Sequence, residues 1–142
     1  MVKVDDFLKF IFYISVVLLI VLTLYPGSLL GLLLYGDPGM QPNLAENPYF
    51  TPMPSHLYTY ASIINHFIVY FYVSMLGLCI YFRSHNFQKI VYGLFFLSII
   101  LEVLQFIVPR RAFEIYDVSA NFAGVLVAYC LIKIYKFWDS YE

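Results

Sequence analysis

Apolar residues run in four long blocks along the chain, each broken only by isolated polar side chains, and most of the charge falls outside the blocks. A helix rises about 1.5 Å per residue, so roughly 20 apolar residues span a hydrocarbon core. The blocks at about 7–24, 57–82, 90–108 and 115–138 therefore predict four transmembrane helices. Pro26-Gly27 is expected to end or kink the first, because proline lacks a donor and clashes with the preceding turn. Ser28 to Tyr35 (SLLGLLLY) is too short to cross again, and is expected at the interface or as the extension of a kinked helix. Residues 36–56, GDPGMQPNLAENPYFTPMPSH, have neither helical nor strand period and read as an aqueous loop. The connections at 83–89 and 109–114 are short enough to make neighbouring helices antiparallel. The expected fold class is all-α: an integral membrane bundle of about four transmembrane helices in a single domain, 1–142.

Lysines and arginines set the orientation, since they concentrate on the cytoplasmic side. Lys3, Lys9, Arg83, Lys89, Lys133 and Lys136, six of the eight, fall on one side, whereas the long loop has none and the third connection holds Arg110 and Arg111. The topology expected is N-in, C-in, with 36–56 extracytoplasmic. Lys3 and Lys9 ahead of an apolar run have the look of a signal peptide, but no small-x-small cleavage site follows. An uncleaved anchor is the reading.

Composition agrees: 62% of residues are hydrophobic and 12% charged, against about 25% charged in soluble domains. A net charge of −1 offers no basic face for nucleic acid. Cys79 and Cys130 lie in apolar runs and read as small buried hydrophobes with no disulfide. Ala120, Gly124 and Ala128 recur every fourth residue and would let the fourth helix approach a neighbour closely. Ser62, His66, Tyr70 and Ser74 make a polar stripe at the same spacing on the second helix.

An ionisable group inside a span costs about 2.5–3.5 kcal/mol on insertion scales, so each one asks for a reason. Glu102 lies in the third block with Gln105 three residues on, Asp117 and Asn121 are an i, i+4 pair opening the fourth, and His66 and Tyr70 are another in the second. Under the antiparallel topology all six come to similar depth near the extracytoplasmic face, with Arg111 on the connection above. Glu102 and His66 are the candidates for acid–base chemistry. Arg111, Gln105, Asp117, Asn121 and Tyr70 are the candidates for binding. A structural reading stands beside this one, in which Glu102 and Arg111 pin two helices and Asp117 caps the fourth. No HxxxH or HExxH spacing, glycine-rich phosphate loop or nucleophilic cysteine is present, so neither metal nor cofactor is expected.

The stretch EVLQFIVPRRAFEIYDVSANFAG, Glu102 to Gly124, resembles the VanZ-like family of small membrane proteins. Glu102, Gln105, Arg111, Asp117, Asn121 and Gly124 fit the family's spacing without a gap. His66 and Tyr70 fit its His-x-x-x-Tyr, and Thr23-Leu24-Tyr25-Pro26 is similar to its Thr-Leu-Phe-Pro signature. Where the family usually has Asp-Lys before the histidine, this chain has Ser62-Ile63, a departure that fits an altered or repurposed site. The resemblance implies a four-helix membrane fold in a bacterial inner membrane and a link to glycopeptide resistance.

Two functions compete. The first is an extracytoplasmic site for an anionic lipid headgroup or cell-envelope precursor, for which arginine is suited by its bidentate grip on phosphate. The alternative is a non-catalytic accessory subunit packed in a larger membrane complex, consistent with abundant Phe and Tyr and little soluble mass. Membrane lipids are the expected partners of the first, other membrane subunits of the second. Transport ranks below both, because a polar cluster at one face provides no path across apolar halves such as Gly77 to Tyr81 and Val125 to Ile132.

Overall fold

A computed structural model describes residues 2–25, 36, 55–108 and 114–139, with backbone alone at 2–4, 55–62 and 139. Among the described residues there are four α-helices and no strand. They are α1 (Val2–Leu24), α2 (Ser55–Ile80), α3 (Phe87–Gln105) and α4 (Ile115–Asp139), and each is long and apolar enough to cross a membrane. The interfacial segment expected at 28–35, most of the loop expected at 36–56, Arg110 and Arg111 lie outside the described residues.

Local chemistry sets the ends. α1 stops at Leu24, and Tyr25 leaves the helix immediately before Pro26, as the residue ahead of a proline is pushed out of the helical region. Beyond α2, Ser84 N donates to Tyr81 O at 2.9 Å and Phe87 N to Ser84 O at 3.1 Å, so the chain turns twice and α3 starts at Phe87 rather than near 90. α3 also ends early, at Gln105. Phe106, Ile107 and Val108 donate to the carbonyls three residues back at 3.1–3.2 Å, the tight last turn of a helix stopped by Pro109. The apolar run continued to Val108, which is why pattern alone extends the helix too far.

α2 and α4 form the best-packed pair, α3 lies against α4, and α1 closes the bundle against α2 and α3. Gly124 explains the close pair. A Cβ there would stand 2.6 Å from the Phe67 carbonyl oxygen and 2.9 Å from the Phe71 nitrogen, so α4 rests directly on the backbone of α2. Ala120 and Ala128 are buried on the same face of α4. Leu78, Val125 and Ala128 are fully enclosed, and among the described residues the buried polar ones are Ser74, Ser98, Glu102, Gln105, Asp117 and Asn121.

The outer surface is equally apolar: Tyr92, Phe96, Ile99, Val103 and Phe106 lie exposed along one face of α3. In lipid an outward position asks for the same residues as an inward one, and Cys79 and Cys130 show the consequence. Both are free and exposed, not buried as expected, because an apolar run cannot tell a lipid-facing position from a core one. At the end away from Glu102, Tyr13 of α1 and Tyr81 share a 2.8 Å hydrogen bond. Tyr81→Phe is expected to lower thermal stability in detergent by about 0.5–1.5 kcal/mol, the worth of one such bond.

Candidate functional site

Three helices carry one continuous polar chain near the end of α3. Glu102 is fully buried on the inner face of α3, and its Oε2 accepts from Asn121 Nδ2 of α4 at 3.5 Å. Asn121, also fully buried, lies 3.0 Å through its Oδ1 from Nδ1 of His66 on α2. An amide oxygen only accepts, so Nδ1 is the donor. The other ring nitrogen, Nε2, lies 3.4 Å from Asp117 Oδ2, back on α4. With Nδ1 already donating, that contact is attractive when Nε2 and Oδ2 hold one proton between them. The chain therefore runs carboxylate, amide, imidazole, carboxylate, and links α3, α4 and α2.

The helix start of α4 is built into it. Glu102 Oε1 accepts the backbone N–H of Glu114 at 3.4 Å, immediately ahead of α4. Asp117 sits in the first turn, where the exposed N–H groups and the helix dipole favour a carboxylate, and is 6% exposed. Glu102 is thus both a link in the cluster and an anchor for the neighbouring helix.

Gln105 departs from the group. It is buried, but its Nε2 donates to the Thr23 carbonyl at 3.4 Å, so it faces α1. Three helical residues turn about 300°, leaving it about 60° round from Glu102. Tyr70, 2% exposed, lines a cavity of about 180 Å³ together with Leu19, Leu22, Thr23, Asn65, His66, Val69 and Gln105. The hydroxyls of Tyr70 and Ser74 are buried and have no hydrogen-bond partner among the described residues.

Of the residues singled out in the sequence, Glu102, Asn121, His66 and Asp117 are thus in mutual contact, and Gln105 and Tyr70 border the adjoining cavity. Arg111 lies outside the described residues. Three participants were not foreseen: the Thr23 carbonyl, the Glu114 N–H and Asn65. A signal existed for the first, since a helix stopped ahead of Pro26 leaves its last carbonyls without helical donors. Among the described residues no group of three or more His, Cys, Asp and Glu is arranged to hold a metal ion.

A family model described as VanZ/LLP1 matches residues 10–136. Neither a curated protein nor a solved structure matches the chain.

Proposed function

The chain belongs to the VanZ/LLP1 family, and from that premise we propose that its polar cluster serves an anionic group, a lipid-headgroup or envelope-precursor phosphate, at the extracytoplasmic face of a bacterial inner membrane. One observation carries the reading. Two nearly buried carboxylates, an imidazole and an amide from three helices meet at 3.0–3.5 Å inside a bundle whose core is mainly apolar, the other buried polar residues described being Ser74, Ser98 and Gln105. Such a group is expensive to insert, and a bundle of apolar helices packs without it.

The arginines supply the charge that would meet the phosphate. Arg111 is three residues from Glu114, whose N–H is held on Glu102, so an extended chain keeps the two backbones within about 11 Å. Glu102 and Asp117 would orient the guanidinium, and His66, bonded to Asn121 and facing Asp117, would hold those two in place. The side assignment rests on the distribution of Lys and Arg, with Lys9, Arg83, Lys89, Lys133 and Lys136 all at the opposite end of the bundle. Binding a precursor carrying this phosphate would connect the protein to glycopeptide susceptibility.

Native mass spectrometry of protein extracted gently from its own membranes tests the reading. The wild type is expected to carry a phosphate-bearing lipid, and Arg111→Ala to lose at least nine-tenths of it. Equal lipid in both would remove the site. Under the second reading, an accessory subunit, the exposed stripe Tyr92, Phe96, Ile99, Val103 and Phe106 would be the face offered to a partner helix in place of lipid. A discrete assembly with other polypeptides, unchanged by Arg111→Ala, would establish that reading instead.

A further inference from the structure

The cavity beside the cluster lies between α1 and α2, and its walls are of two kinds. Leu19, Leu22 and Val69 are apolar, while Asn65, His66, Tyr70, Gln105 and Thr23 bring polar atoms. Leu22 is 46% exposed and Val69 42%, on the outward faces of two transmembrane helices, so these two residues form lips that face the bilayer. Behind them lie His66, whose ring belongs to the buried chain, and Tyr70, whose enclosed hydroxyl has no partner among the described residues.

α1 suits the role of a loosely seated wall. It is the least enclosed of the four spans, with 11% of its residues buried against 28–39% in the others. Near the cavity it is tied to α3 by the Gln105 bond to the Thr23 carbonyl, at a long 3.4 Å. The cavity's volume of about 180 Å³ is well above the roughly 10–15 Å³ that one water needs on the same measure. That is room for a headgroup, not for a whole lipid.

We propose that the phosphate-bearing occupant is a lipid of the surrounding leaflet that slides its headgroup sideways between α1 and α2, leaving its chain in the bilayer against Leu19, Leu22 and Val69. This rests on the headgroup site proposed above and adds the ligand's source and route. A phosphate arriving from water would need no apolar lips and no gap toward lipid. A lipid needs both, because its chain gains nothing by leaving the hydrocarbon.

The test separates the route from the site. Val69→Trp and Leu22→Trp each place a large ring across the lips, and neither residue takes part in the hydrogen-bonded chain. Native mass spectrometry would score two probes on the wild type and both variants: co-purified phosphate-bearing lipid, and added glycerol 1-phosphate as a chainless headgroup. Both variants are expected to lower bound lipid at least tenfold while holding glycerol 1-phosphate within twofold of wild type. Lipid retained at wild-type level in both variants would overturn the lateral route and leave the headgroup site standing. Loss of both probes in both variants would also overturn it, by making the gap part of the site itself. A wild type that carries no phosphate-bearing lipid would instead sink the parent reading.

Discussion

Gly124→Ala is expected to destabilise the bundle by about 1–3 kcal/mol, the usual range for forcing atoms into a filled interior, while Gly93→Ala raises stability by about 0.5–1 kcal/mol. The two glycines differ in what their missing side chain faces. A Cβ at Gly93 meets nothing within 4 Å, so alanine there gains helix propensity without opposition. At Gly124 the nearest atoms are the Phe67 carbonyl oxygen at 2.6 Å and the Phe71 nitrogen at 2.9 Å, both backbone, and neither can swing aside. Restoring ordinary contact near 3.4 Å asks α2 and α4 to part by about 0.8 Å. Gly77 makes a third case, since its Cβ would meet the Phe12 ring at 2.5 Å, and a side chain can turn away where backbone cannot. Thermal unfolding in one detergent at fixed protein-to-detergent ratio would rank the three. A Gly124→Ala variant as stable as Gly93→Ala would mean that the helices are not in the close contact described. The effect should reach the site as well, because His66 of α2 meets Asn121 at 3.0 Å and Asp117 at 3.4 Å across the same interface.

How much of this could be read beforehand follows from what periodicity encodes. Block length gives four helices, the two short connections make α2, α3 and α4 antiparallel, and that order alone brings His66, Glu102, Asp117 and Asn121 to one depth. Depth is not contact, however. That Asn121 is the middle link, bonding α3 with its nitrogen and α2 with its oxygen, depends on helix rotation. In a soluble helix the polar stripe would give that rotation away. Here the outward face is apolar too, so the pattern hides it, as Cys79 and Cys130 show by facing out. The end of α3 failed to show for the same reason, Phe106 to Val108 being apolar and yet past the helix. Gln105 was grouped with Glu102 by spacing, but its rotation of about 60° carries it to α1.

Removing the polar chain one residue at a time and removing it as a unit are expected to have opposite effects on stability. Glu102→Met alone takes the acceptor from Asn121 Nδ2 and from the Glu114 N–H. Burying donors without partners should lower stability by about 1–3 kcal/mol. Among the described residues the triple variant Glu102→Met, Asn121→Val, His66→Leu leaves no such side-chain donor, only the Glu114 N–H at the start of α4, and fills the space with apolar groups of comparable volume. Buried polar or ionic sets replaced in this way are commonly neutral or stabilised by about 1–4 kcal/mol, and the cost of inserting the glutamate disappears. Asp117 can stay, since the first turn of α4 favours its charge by about 0.3–1 kcal/mol without the imidazole. The triple variant is therefore expected to unfold at or above the wild-type temperature, the single variant below it, and both to lose the phosphate-bearing lipid in native mass spectra. A triple variant less stable than Glu102→Met would make the chain structural, a clamp on three helices. A stable triple variant that binds nothing would mean that the fold does not need the cluster, and would leave ligand binding as the reason to bury two carboxylates in an apolar bundle.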